Sequence, residues 1–308
     1  MSTEIHHHQD KSRVIGVDLG KTKIAVGLVA PDGTLDDRQE QPTNIAEGGP
    51  AILKHVAAMI EQVQQHTAHP IAALGIASTG LLDPVQGIAL RSGSIPDFEG
   101  LDIAGFFERR CNLPTTVDND VYAAALAEER FGAARTARTA VYLSLGTSIG
   151  AAMIKDGEIW RGSHGLAGQI GHLPLPGTVL CIGDLFGRHG IEHVFTQSTG
   201  QEASTSAIFQ AAHQNEPHAL YSINWALENT ALLLAWLQQT LDPDVFVLGG
   251  GVALAQPSII GELQARAHLT LKHYTVSLPR GMQVVPAALG RDSGVIGAAV
   301  LAWERARE

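Results

Sequence analysis

Residues 117–129, VDNDVYAAALAEE, set Asp118-Asn119-Asp120 between an apolar lead-in and an alanine-rich run. Side-chain oxygens at such a place satisfy the free N–H groups of a helix start, so the tripeptide is a good capping cluster. Three polar groups where a strand ends can equally hold a group that does chemistry. Two other loops carry residue types that suit phosphate. DLGKTK, residues 18–23, and LGTSIG, residues 145–150, combine glycines with the hydroxyls of Thr22, Thr147 and Ser148 and with the charge of Lys21 or Lys23. Glycine lets the backbone approach phosphate oxygens, while hydroxyls and ammonium groups donate to them. Either loop alone also fits plain hairpin chemistry. LGGGV, residues 248–252, suits a flat adenine or ribose lying against bare backbone, or an ordinary strand-to-helix turn.

The elements that must position these loops are legible as patterns. Residues 14–29 read as two apolar strands joined by a polar loop, and Asp32-Gly33 turns toward a third strand. Residues 141–160 repeat that plan around Gly146-Thr147-Ser148, with Asp156-Gly157 as the second turn. Two copies of one plan predict two related lobes sharing a cleft. Ile52, Val56, Met59, Ile60 and Val63 recur at helical spacing, and IAALGIAS, residues 71–78, reads as a buried strand running into Thr79-Gly80. A long helix is predicted over 221–240, a short strand over Pro243 to Leu248 ending in Gly249-Gly250-Gly251, and a last strand in MQVVPAA ahead of Arg291-Asp292-Ser293-Gly294 and a closing helix. Each of these loops follows a strand, where open α/β sheets place their ligands.

With 308 residues, the chain exceeds the size at which one core keeps growing. Its 45% hydrophobic and 17% charged residues and 33 glycines fit an α/β enzyme rather than a disordered or fibrous chain. A formal net charge of -10 argues against a nucleic-acid footprint and for small-molecule partners. The two cysteines, Cys111 and Cys181, lack CxxC spacing and offer no disulfide framework, which points to the cytoplasm. MSTEIHHHQDKSR lacks the apolar core of a signal peptide, and no apolar run reaches the length of a membrane span, so no membrane partner is expected. His6-His7-His8 is read as part of a tail ahead of the first strand.

Taken together and in order, DLGKTK, VDNDVYAAALAEERFG, YLSLGTSIG, GLAGQIGH, LDPDVFVLGGGV and GRDSGVIGAA resemble the ROK family of sugar kinases and sugar-responsive repressors, over residues 14 to 303. The resemblance implies an actin-like (ribonuclease H-like), two-lobed ATPase and sugar-kinase fold with duplicated mixed sheets. Residues 1–118 would form the N-terminal lobe, with the closing helix 294–308 packing back on it, and 119–293 the C-terminal lobe. It also implies ATP and Mg²⁺, a small-molecule sugar and a homodimer. By similarity, Asn119 binds sugar hydroxyls and Asp120 is the general base for the attacking hydroxyl, a role worth about 10²- to 10⁴-fold in rate. Asp18 holds the metal, through water. Gly20, Thr22, Lys23, Gly146, Thr147, Ser148, Gly249, Gly250 and Gly251 bind the nucleotide, and Gly80 lines the sugar. Asp118 is left as a cap or supporting group.

The chain departs from the family at several points. Gln169 stands at a usual glutamate, where an amide cannot supply the charge-assisted bond of a carboxylate. His172 matches a family histidine that can ligate zinc and lie near the sugar. The family's zinc run is replaced by CIGDLFGRHGIEH, with Phe186 and Ile191 at two cysteine positions. One thiolate and one imidazole do not close a four-ligand site, so no structural zinc is expected, and packing of Phe186 and Ile191 stands in for it. His193 falls at the second sugar-binding glutamate, with Glu192 one residue earlier; either can face the sugar. Lys21 replaces a usual glycine, adding a phosphate contact or straining the turn.

Ser78-Thr79-Gly80 is similar to the corresponding stretch of N-acetylmannosamine kinases, so phosphorylation of N-acetylmannosamine at its 6-hydroxyl is the first expectation, with glucose, fructose or another hexosamine open. A repressor of this family needs a helix-turn-helix ahead of DLGKTK, and about a dozen polar residues before the first strand are too few for one. A sugar-binding protein without catalysis is the rival suggested by Gln169, the altered second glutamate and the missing zinc run.

Overall fold

RVIGVDL and KIAVGLV are joined by so short a polar turn that they can only pair antiparallel. In the computed structural model, which describes residues 12–91, 95–175, 177–178, 180–186, 188–274 and 281–306, they form β1 (Arg13–Leu19) and β2 (Lys23–Val29), with Leu19 opposite Ile24. The Asp32 carboxylate accepts the Thr34 N–H at 2.9 Å, closing the turn into β3 (Leu35–Pro42). His6-His7-His8 lies outside the described residues. The chain divides into two compact units, Met1–Ala127 with Asp292–Glu308, and Glu128–Arg291.

In unit 1 the meander continues through α1 (Gly49–His66) into β4 (Ile71–Ser78), the hairpin β5 (Leu81–Asp83) and β6 (Ile88–Arg91), α2 (Ile103–Cys111), β7 (Thr115–Asn119) and α3 (Asp120–Phe131). The sheet order is β3-β2-β1-β4-β7, with β1, β4 and β7 parallel. Ile52, Val56, Ile60 and Val63 of α1 pack with Ile15, Val17, Leu74 and Ile76 on one face. The other face takes the closing helix. A Cβ added at Gly75 would stand 1.7 Å from the Ala298 carbonyl oxygen, and one at Gly16 2.1 Å from that of Val295, so only glycine permits backbone to lie on backbone here.

In unit 2 the plan recurs. β8 (Thr139–Leu145), β9 (Ile149–Lys155) and β10 (Glu158–Ile159) form the meander, followed by α4 (His193–Thr199), α5 (Thr205–His213), α6 (Pro217–Leu241), β11 (Val245–Gly249), α7 (Gly250–Ala255), α8 (Ser258–Tyr274) and β12 (Val284–Pro286). Its sheet, β10-β9-β8-β11-β12, has the same pattern of antiparallel and parallel neighbours as the first. The predicted last strand is shorter than MQVVPAA, because only Val284–Pro286 pair with β11. The closing helix α9 (Ser293–Arg305) counts with unit 1. Among the described residues no helix is long and apolar enough to cross a membrane.

Candidate active site

Register decides which side chains of unit 1 meet. Leu19 stands opposite Ser78, and Ser78 opposite Asn119, so β1, β4 and β7 end at one level. Asp18, the turn 20–22, Gly80, Asn119 and Asp120 therefore leave the sheet together. Asn119 is the cap of α3: its Oδ1 accepts the Val121 N–H at 3.0 Å and the Tyr122 N–H at 3.4 Å. Its amide also donates to the Gly80 carbonyl at 3.0 Å, pinning the β4 turn to the start of α3. One N–H of that amide remains for a ligand. Asp118 is buried and takes the Asn119 N–H at 2.7 Å.

Asn119 does most of the capping, and Asp120 shares only the Val121 N–H with it. One carboxylate oxygen accepts the Val121 N–H at 2.9 Å, which leaves the other for a proton. Burial pushes the Asp120 carboxyl up to about 7, and the nearby Asp18 carboxylate adds to the rise, against the Val121 N–H and the charge of Lys21. Burial likewise pushes Asp18 up to about 6, against Lys23 and Arg38. The start of α9 lies on Asp18, since a Cβ on Gly294 would stand 2.6 Å from its carboxylate. A carboxylate poised near neutrality is what a general base at working pH requires.

The β1–β2 turn is held at its base. The Gly20 N–H donates to the Lys23 carbonyl at 3.0 Å, and the Thr43 hydroxyl to that of Gly20 at 2.8 Å. Thr22 and Lys21 are exposed at the tip. Lys23 is tied back, with its ammonium 3.2 Å from a Glu40 oxygen that Arg38 also holds. Arg38 Nε lies 2.7 Å from Asp292 Oδ1 as an ion pair, without hydrogen-bond alignment. Sequence reasoning missed Arg38 and Glu40. Their signal was the diagonal placement of Glu40 beside Lys23, whose direct partner is Pro42.

In unit 2, the 145–150 loop and the glycine run meet. A Cβ on Gly250 would strike the Leu145 backbone at 2.6 Å, and Gly146 faces the Gly251 nitrogen. Thr147 and Ser148 are exposed. Gly249 ends β11, while Gly250 and Gly251 open α7 rather than forming a free loop.

The predicted sugar residues of unit 2 are not gathered in one place. Gln169 lines an apolar cavity of about 260 Å³ with Trp160 and Leu173, and His172 is exposed. The Glu192 carboxylate is engaged at the start of α5, where it accepts the Thr205 N–H at 2.7 Å and its hydroxyl at 2.8 Å. His193 is exposed and lines a different cavity, of about 500 Å³, with Gln197, Tyr221 and Trp225. Ser78 and Thr79 are buried, and the Ser78 hydroxyl donates to the Thr79 carbonyl at 3.3 Å, so this turn offers Gly80 rather than hydroxyls.

Phe186 and Ile191 are fully buried among Ile182, Leu185 and Phe195. The Cys181 thiol donates to Asp184 at 3.0 Å. Among the described residues no group of three or more His, Cys, Asp or Glu side chains is placed to hold a metal.

The model of the ROK family matches residues 14–305. A glucokinase of Thermotoga maritima is 27% identical over 317 residues, covering 96% of this chain and 98% of that protein. An N-acetylmannosamine kinase of Escherichia fergusonii is 29% identical over 299 residues, covering 94% and 97%. Among solved structures, a ROK family glucokinase from Streptomyces griseus, in complex with glucose and AMPPNP, has a TM-score of 0.78 at 26% identity, covering 95% of this chain and 99% of that one. The two mixed sheets thus form the actin-like α/β fold of the ROK sugar kinases.

Proposed function

We propose, for a chain that belongs to the ROK family, the activity of an ATP-dependent sugar kinase that moves the γ-phosphoryl group to a hexose-type 6-hydroxyl. The observation that carries this reading is Asp120: a partly buried carboxylate, relieved of most capping by Asn119, and pushed up to about 7 beside a second carboxylate. An alcohol is a poor nucleophile until its proton has somewhere to go, and Asp120 would take that proton from the 6-hydroxyl. Asn119, through its remaining amide hydrogen, and Gly80 would orient the sugar. Each unit would offer nucleotide-binding groups of its own, the turn 20–23 in unit 1 and Gly146 to Ser148 with Gly249 to Gly251 in unit 2.

Mg²⁺ fits the charge of the site, since the Asp18 carboxylate lies close enough to Asp120 to raise its pKa, and a cation held at Asp18 would relieve that repulsion. Asp18 would hold it, through water. When bound it neutralises charge on the phosphate oxygens. Zinc does not fit the run 181–193, whose cysteine positions are filled by Phe186 and Ile191.

N-acetylmannosamine remains the first substrate, on the likeness to the bacterial N-acetylmannosamine kinase; glucose follows from the glucokinases. The buried Ser78 and Thr79 weaken the case built on that turn. The rival reading, sugar binding without catalysis, draws on Gln169 and on the engaged Glu192. We further assign the protein as a cytoplasmic homodimer, to be checked by light scattering and cell fractionation. Coupled ADP release with Mg-ATP over a panel of hexoses and N-acetylhexosamines tests the activity. Turnover on one sugar names the substrate, and binding of a sugar without turnover favours the rival.

A further inference from the structure

The two lysines of the phosphate turn are not equivalent. Lys23 is neutralised by Glu40 at 3.2 Å. Lys21 is exposed at the tip of the turn and stands in no ion pair among the described residues. The base beneath it is fixed: besides the Gly20 N–H and Thr43 hydroxyl bonds, the Thr43 N–H donates to the Thr22 carbonyl at 3.0 Å and the Thr79 N–H to that of Leu19 at 3.1 Å. A stapled base with a projecting tip aims a long side chain without ordering it.

Where the tip projects follows from the register. Leu19, Ser78 and Asn119 share one level on adjacent strands, so the turn and Asp120 emerge two strand spacings apart, about 10 Å. An extended lysine spans much of that gap, with room left for a phosphate. The Lys21 charge already acts on Asp120, favouring its ionised form.

We propose that Lys21 is a further catalytic residue, whose ammonium contacts the phosphoryl group as it passes from nucleotide to sugar hydroxyl beside Asp120. The inference rests on the kinase reading above. In the step, the sugar O–H bond breaks and its proton goes to Asp120 as the new O–P bond forms. The bond from phosphorus to the bridging oxygen breaks, its electron pair leaving with ADP. Lys21 gains and loses no proton; its three N–H donors hold the equatorial oxygens, on which charge is spread in transit. A donor that meets the charge only while it is in transit acts on kcat more than on ground-state binding. This chain would thus carry its own cation where the family pattern has glycine.

The test compares Lys21→Met, Lys21→Arg and Asp120→Asn by steady-state kinetics with the sugar that is turned over, and by calorimetric binding of ADP and of a non-hydrolysable ATP analogue. Lys21→Met is expected to lower kcat about 10²-fold with the sugar KM unchanged within about twofold, and Lys21→Arg to recover most of it. The preference for the ATP analogue over ADP should shrink in Lys21→Met while ADP affinity holds. A wild-type kcat in Lys21→Met, or an equal loss in Lys21→Arg, overturns the role. If Asp120→Asn is inactive and Lys21→Met normal, only Lys21 is displaced; if Asp120→Asn turns over normally, the kinase site itself is misread. Should no sugar be turned over, an unchanged preference for the analogue over ADP decides against Lys21.

Discussion

Replacing Asp120 by asparagine should make the protein more stable while removing its activity. The folded state raises this carboxyl from 3.8 to about 7, so the fold holds the proton more tightly than the unfolded chain does. Stability from this group is therefore fully present below about pH 4 and is lost as pH rises toward 7. Each tenfold in proton affinity is worth 1.36 kcal/mol, so the ionised form costs at most about 4 kcal/mol. Residual solvent contact at this half-buried residue brings that nearer to about 2 kcal/mol. Asparagine can keep the 2.9 Å bond from the Val121 N–H without carrying the charge. Thermal unfolding, followed at pH 5 and pH 8, should show Asp120→Asn melting roughly 4–8 °C above wild type at pH 8, with the gap narrowing at pH 5. Turnover should fall about 10²- to 10⁴-fold. Equal melting temperatures at pH 8 would refute the electrostatic argument, and normal turnover the catalytic one.

Other consequences can be checked alongside it. The kcat/KM of the wild type should rise with pH through about 7 as Asp120 ionises; a flat profile from pH 5 to 8 contradicts that role. Glu128 is fully buried and accepts three backbone N–H groups, from Ala133 at 2.8 Å, Ala288 at 3.0 Å and Leu289 at 2.9 Å. Glu128→Ala strands those donors and should cost about 3 kcal/mol or more in denaturant unfolding. Gly75→Ala forces a methyl onto the Ala298 carbonyl and should leave little folded protein by circular dichroism, whereas Gly100→Ala, which meets nothing, should cost only what its left-handed backbone demands. Elemental analysis of purified protein should find no stoichiometric zinc, and Phe186→Ala should destabilise by about 3–5 kcal/mol; one tightly held zinc per chain contradicts the packing account.

What could be read from the sequence was whatever depends on neighbours in the chain. IAALGIAS is a strand at the expected bounds, and both meanders follow from short polar turns between apolar runs. The pairing of β1, β4 and β7 was not available, because parallel register is set by crossovers rather than by local pattern. The level shared by Leu19, Ser78 and Asn119, and with it the approach of Lys21 to Asp120, therefore needed the structure. The Asp-Asn-Asp run admitted two readings: the capping one is seen at Asn119, whose Oδ1 takes the Val121 and Tyr122 N–H groups, and chemistry at Asp120 is the proposal made above. Glu192 and His193 were undecided because a one-residue shift in the matched run exchanges them; the structure shows the Glu192 carboxylate held by Thr205, thirteen residues on, and His193 exposed. α2, α4, α5 and α8 went unread. The first three are short, at nine, seven and nine residues, which leaves few turns over which a helical repeat can stand out.

The glycine contacts that seat α9 on β1 and β4 have a consequence for biosynthesis. The sheet of unit 1 is complete once β7 has been made, but one of its two faces stays bare until the ribosome has produced all of unit 2 and then the final helix. The emerging N-terminal half must wait with that apolar surface uncovered, a long-range closure of the kind that slows folding and invites chaperones. A nascent chain released early would leave Val14, Ala25 and Ala73 without Val295, Ala299 and Ala302 to cover them.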